Sequence, residues 1–361
     1  NNRTPRIGIM KTFHINKGFF IVVLTMIVLT YTNMVYGQLD NTQTMTKSGT
    51  TAAQFLKIGV DARATAMGNA FTAMEGDVSS IFWNAAGLAN VKRLETMFVN
   101  NNWLAGVGFH YLGLALPLRR IGVLGFSVTS LTVPDDKVRT VTEPEGTGEY
   151  WGAQDLAVNL SFARKLTDKF SIGGNIKFIQ QTIWHSHANT FAMDLGALFV
   201  TPFKGIRLGA SLANYGGELR MTGRDQKLSV DPDLINQGNV EFVNALYETD
   251  AFPLPLIFRV GLSGELVRTK ALRLSYAIDA LHPNDNTEAV NTGFELAVGE
   301  TFFLRGGHAN LFRENAEEGL TLGGGLHYRL WGTQAILRID YSYVDFGRLK
   351  YVNRVSIGII I

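Results

Sequence analysis

Two histidines separated by one residue, in Trp184-His185-Ser186-His187, form the most metal-like pair in this 361-residue chain. A zinc site takes three or four protein ligands, and the flanking sequence offers no third, so the pair assigns no metal. Asn284-Asp285-Asn286 with Glu288 is oxygen-rich. It lacks the spaced acids and the glycine of an EF-hand loop. Gly323-Gly324-Gly325 has no Lys-Ser/Thr after it, which excludes a phosphate loop. Inside a strand such a run eases curvature or lets backbone approach. The absence of cysteine removes disulfides, thiolate zinc sites and cysteine nucleophiles together. No Ser/His/Asp arrangement stands out. A net charge of +2 gives no electrostatic reason to expect nucleic acid. The residues thus point away from an enzyme, and no cofactor is expected.

What remains that could act chemically is a scatter of charges inside apolar segments, and the segments explain them. From about residue 93 to the end, period-2 alternation prevails. Leu156, Val158, Leu160 and Phe162 alternate with Asp155, Ala157, Asn159 and Ser161; Leu337, Ile339, Tyr341 and Tyr343 alternate with Arg338, Asp340 and Ser342. Successive strand side chains point to opposite faces, so each segment has one apolar and one polar face. About fourteen such segments are expected, near 93–101, 105–116, 121–132, 152–164, 170–181, 190–201, 206–217, 253–265, 272–284, 290–299, 301–309, 319–330, 335–346 and 350–361. Their length suits membrane strands of about 9–11 residues better than soluble strands of about 5–6. Full charges mid-strand suit a wet or plugged lumen and suit a sandwich core badly.

The links support a barrel. Tight turns at 118–120, 167–169, 203–205, 267–270 and 332–334 alternate with longer connections at 133–151, 182–189, 218–252, 282–289 and 310–318, although the links at 102–104 and 347–349 are short on the external side. Outer-membrane barrels pair short periplasmic turns with longer external loops. Trp103, Tyr111, Trp151, Trp184, Tyr328, Trp331, Tyr341 and Tyr343 lie near strand ends, where interface girdles are expected. Apolar residues within 218–252 (Leu234, Val240, Phe242, Val243, Leu246) suit a lid over the mouth, a partner contact, or packing on the rim.

The N-terminus divides the rest. Residues 1–9 precede Met10 and read as an upstream, non-native extension. Residues 10–37 read as a signal peptide, with Lys11 and Lys17 ahead of an apolar run and Val35-Tyr36-Gly37 before a cut at Gln38. The alternative, an uncleaved anchor, has an apolar core short of the ~20 residues that span a bilayer. Residues 38–92 lack clean alternation and fit either a periplasmic tail or an N-terminal plug; their Gly and Ala content favours close packing in a narrow lumen. Residues 93–361 form the barrel.

The block FLKIGVDARATAMGNAFTAMEGDVSSIFWNAAGLANV (55–91) resembles the N-terminal signature of the PorV/PorQ family, within the FadL-like outer-membrane barrels. The matching positions include Gly59, Ala62, Arg63, Ala64, Met67, Gly68, Ala70, Asp77, Trp83, Asn84, Ala86, Gly87, Leu88 and Ala89. One departure is Ala85, where the family pattern Asn-Pro-Ala has proline; without the ring the turn is less committed to one conformation. The resemblance implies an all-β barrel of about 14 strands with a plug or hatch. It makes Arg63, Met67, Gly68, Trp83, Asn84, Ala85, Ala86 and Gly87 the plug motif. It implies an outer-membrane location in contact with lipid. It also implies an accessory or shuttle role in type IX protein secretion, with partners that include secreted proteins bearing C-terminal signal domains or other secretion components. The wider FadL likeness implies, alternatively, passive transport of hydrophobic small molecules.

Alternation then predicts lumen-facing charges at Asp155, Lys177, Asp194, Arg207, Arg259, Arg273, Asp279, Arg338 and Asp340, with Glu295, Arg305, Arg329 and Arg354 beside them. They would line a polar conduit or pair across a plugged lumen, since buried charges persist when paired. Arg63 is placed to reach one of the lumenal carboxylates.

Overall fold

The computed structural model describes residues 47–74, 76–231, 242–313 and 316–361. The expected upstream extension, the signal peptide and residues 38–46 lie outside the described residues. Fourteen long strands make the wall: β1 (Glu95–Asn102), β2 (Gly108–Leu118), β3 (Gly122–Lys137), β4 (Tyr150–Lys165), β5 (Phe170–Ile183), β6 (Ser186–Val200), β7 (Arg207–Gly216), β8 (Ile257–Arg268), β9 (Leu272–Pro283), β10 (Ala289–Val298), β11 (Phe302–Leu311), β12 (Leu320–Arg329), β13 (Ile336–Asp345) and β14 (Tyr351–Ile360). Each pairs antiparallel with its neighbour, and β7 meets β8 across the long 217–256 connection. The ring closes where β1 pairs with β14, from Glu95 opposite Ile360 to Asn101 opposite Arg354. Closure leaves no free sheet edge.

The alternation explains both faces. Leu160, Ile176, Phe191 and Leu304 point outward and are 60–65% exposed, while Ser161, Asn175, Ser275 and Glu295 on the other face are at most 5% exposed. Outward apolar side chains recur around the ring. A monomer in water rarely shows contiguous apolar patches above a few hundred Å², so this surface suits lipid.

Several expectations change in detail. The strands around 182–189 continue to Ile183 and resume at Ser186, leaving a tight turn with Trp184 at φ 50°. β3 and β4 likewise run beyond the expected 132 and 152, into the connection between them. Within 218–252, Glu218–Arg220 pairs with Ala251–Pro253 and Lys227–Val230 with Val243–Leu246. Phe242, Val243 and Leu246 are exposed there; Leu234 and Val240 lie outside the described residues. Tyr111 is no girdle residue: it is 1% exposed on the inner face, because Leu112, Leu114 and Leu116 occupy the outer one. Trp103 also turns inward, edge-on to Phe346 with ring centroids 5.2 Å apart.

Candidate functional site

Residues 51–91 run lengthwise inside the ring. Thr51, Gln54 and Lys57 all donate to the Asp285 carboxylate at the long-loop end (Lys57 Nζ at 2.8 Å). That acid in the 284–288 cluster therefore anchors the segment. Two short helices follow, α1 (Ala62–Ala66) and α2 (Ser80–Trp83). Asp61 caps α1 by accepting from the Ala64 N–H at 3.1 Å, satisfying one donor of the first turn. Its other oxygen accepts from Trp83 Nε1 at 2.9 Å, tying α1 to α2. Asn84 caps the 3₁₀ turn Ala85–Asn90 through the Ala86 N–H (3.1 Å) and donates to Thr72 O (2.8 Å) and Ala197 O of β6 (3.0 Å). Ala85 is the first residue of that turn and is buried. The segment reaches the short-turn end at Val91.

The wall makes room for this backbone with glycine. Gly68 has φ +64°, and a Cβ there would lie 2.6 Å from Thr292 O and 2.7 Å from the His308 backbone. Opposite it, a Cβ on Gly293 or Gly307 would strike the Met67 backbone at 2.3–2.4 Å, and one on Gly323 would meet Ala66 Cβ at 2.5 Å. Gly323 of the triple-glycine run thus serves close approach. At the far end a Cβ on Gly173 would meet Ala85 at 2.5 Å, and Gly87 packs against Ser80.

Charges lock the segment to the wall. Arg63 contacts Glu295 of β10 at two points, 2.9 and 3.1 Å, and Asp77 at 3.2 Å. Glu295 also accepts from Arg305 (2.8 Å) and Arg273 (3.1 Å). Arg305 reaches Asp340 at 2.6 Å, and Arg338 reaches Asp77 at 2.7 Å. Asp279 accepts the Phe71 and Thr72 N–H groups, both at 2.8 Å. Lys177 pairs with Asp194 at 2.8 Å, Arg207 donates to Ser263, and Gln181 donates to Asp155 at 2.9 Å. Lys177, Asp194, Arg207, Arg259, Asp279, Arg338 and Asp340 are buried, Asp155 and Arg273 half-buried, and Arg329 sits exposed at the end of β12. His185 is taken up by Asp225 (2.8 Å) and Arg224 (2.7 Å). Burial, then the charge of Asp77, pushes the Asp61 carboxyl up to about 6. Burial would raise Asp77 too, but the Arg338 and Arg63 guanidiniums outweigh it and hold that carboxyl well below the usual range.

Above the segment, at the long-loop end, a half-open cavity of about 580 Å³ remains. Phe55, Ile58, Trp103, Leu131, Val344 and Phe346 supply its apolar wall; Gln181, Asp155, Glu318 and Arg354 supply polar groups. Periodicity points inward at Val344 and Arg354, but the contributions of Phe55, Phe346 and Glu318 depend on loops and carry no such signal.

Residues 31–190 match the model of UPF0164, an uncharacterised protein family. No curated protein sequence matches the chain. Among solved structures, the monoaromatic hydrocarbon channel CymD aligns with a TM-score of 0.53 at 12% identity, over 84% of this chain and 96% of that one. The deltaS2S3 mutant of the monoaromatic hydrocarbon channel TodX aligns at 0.51 and 12%, over 84% and 98%. The fold is that of the FadL-like outer-membrane barrels. In these terms the present chain is a fourteen-stranded FadL-like barrel with a cavity at its long-loop end and residues 51–91 seated beneath it. The identity is too low to carry more than the fold.

Proposed function

We propose that this FadL-like barrel admits hydrophobic small molecules passively across the outer membrane, with residues 51–91 as its plug. The observation that carries the reading is the apolar cavity at the long-loop end, walled by Phe55, Trp103 and Phe346. At about 580 Å³ it falls within the usual range for small-molecule sites, about 300–1,000 Å³. The lining also carries the polar side chains of Asp155, Gln181, Glu318 and Arg354, and affinity for a hydrophobic molecule would come from the apolar wall. Molecules of the size carried by the monoaromatic channels fit this volume. The type IX secretion reading rests on the 55–91 signature alone, and the cavity favours the small-molecule reading over it.

The test is uptake of labelled toluene by cells whose outer membrane contains the barrel as its main channel, compared with cells lacking it. Uptake should rise with the wild type and fall severalfold with Phe346→Asp, which places a charge in the apolar wall. Equal uptake with and without the barrel would remove the proposal.

A further inference from the structure

At the short-turn end, where the inner segment leaves the lumen, a cleft of about 390 Å³ opens between three pieces of chain. Lys92 follows the segment, Arg119 and Arg120 lie in the turn between β2 and β3, and Arg164 and Lys165 close β4. All five are exposed, and no acid lines the cleft. Among the described residues, none of the five side chains makes an ion pair or a hydrogen bond. The acids nearest in sequence lie outside the lining. Glu95 is buried, 3.8 Å from Arg338, and Asp168 stands exposed on the turn after β4. Like charges gathered in one place repel, and nothing in the lining offsets them.

The surroundings point to the kind of anion. Ile121 and Leu166, on the two turns that flank the cleft, are 62% and 54% exposed. On the outer face Leu116 pairs across to Leu124, and Leu124 to Phe162, so three exposed apolar side chains form a continuous row over β2, β3 and β4. Parity puts Arg164 on the same outward face as Phe162, two residues and about 7 Å further along the strand. A cation one pleat beyond a lipid-facing row lies at headgroup depth, where long basic side chains extend into the polar layer. A free phosphate would engage the cations and leave the apolar row and the turn tips unused; a lipid engages both. We propose that the cleft seats the phosphate of an anionic phospholipid, with its acyl chains along Leu116, Leu124 and Phe162. This rests on the outer-membrane barrel and is independent of what passes through it.

Native mass spectrometry of the full chain, released from neutral-detergent micelles holding equal amounts of phosphatidylglycerol and phosphatidylcholine, tests this. The wild type should retain phosphatidylglycerol severalfold over phosphatidylcholine. A cation beside an anionic lipid surface contributes about fivefold to binding, so Arg120→Gln combined with Arg164→Gln should cut retention about tenfold or more. Lys92→Gln with Lys165→Gln probes the same cleft and keeps the test decisive if the first pair does not fold. Lys204→Gln with Arg329→Gln removes equal charge from the same end, at positions outside the cleft, and should leave retention unchanged. Replacing ammonium acetate by ammonium phosphate at constant ionic strength should not displace the lipid. Equal retention of the two lipids, undiminished retention in the cleft variants, an equal loss in the Lys204 and Arg329 pair, or displacement by phosphate would each overturn the proposal.

Discussion

Arg63 and Glu295, 232 residues apart in sequence, meet in a two-point contact deep inside the ring, Nε to Oε2 at 2.9 Å and Nη2 to Oε1 at 3.1 Å. Because Arg273 and Arg305 share the same carboxylate, Glu295 is the hub where the inner segment and two strands are joined.

Removing that hub takes the shared carboxylate from three guanidiniums, leaving Arg63 with Asp77, Arg305 with Asp340 and Arg273 with Glu300. Breaking a buried pair from one side costs about 3–5 kcal/mol, so Glu295→Ala should lower stability by at least that order, while Arg63→Met, which removes the charge and keeps the volume, should cost less. Denaturant midpoints in detergent, together with protease sensitivity of residues 55–91, check both.

Asp61 and Asp77 should give opposite pH signatures. An unfolded aspartate titrates near 3.9, and folded Asp61 titrates at about 6. The folded state therefore binds the proton more tightly, and Asp61's contribution to stability grows as pH falls from about 6 to 4 and is lost as pH rises through that window. Asp77 is held low by Arg338 and Arg63, so its contribution is present above about pH 4 and lost only in stronger acid. Stability curves from pH 7 to 4 should show a component that Asp61→Asn removes; an unchanged slope would contradict the burial assigned to this carboxyl.

Gly68→Ala should unseat the inner segment locally. The residue needs φ +64° and lies against the Thr292 and His308 backbones, and neither can retreat without breaking the wall. A loss above about 1 kcal/mol is expected, with increased proteolysis near residue 68. Gly299→Ala, at φ +60° but with open space around it, should show the conformational cost without the clash and so cost less.

The wall was legible because a strand repeats every two residues and lipid outside demands an unbroken apolar face; Leu337, Ile339, Tyr341 and Arg338, Asp340, Ser342 declare both faces at once. Parity would also have turned Tyr111 inward, since Leu112 and Leu114 face out, but its aromatic type near a strand end gave the girdle expectation that the structure overturns. Cross-lumen partners were not legible. That Arg338 meets Asp77, or that Gly293, Gly307 and Gly323 stack against one short helix, depends on strand pairing and tilt, which no local spacing encodes. Phe346 sits in a connection without periodicity, so nothing in the string marks it. The tight turn at Trp184-His185 was obscured because Ser186, His187 and Asn189 are polar residues at a strand end, where polar composition resembles a loop.

One more consequence follows from the hydrogen bond by which Ser356 Oγ, on the last strand, accepts the N–H of Ala62 at 2.8 Å. The earliest part of the barrel-forming chain is grasped by the latest. The strand that seals the ring thus also holds the start of the enclosed helix, and a barrel lacking it would lose its seam and one of that helix's ties together.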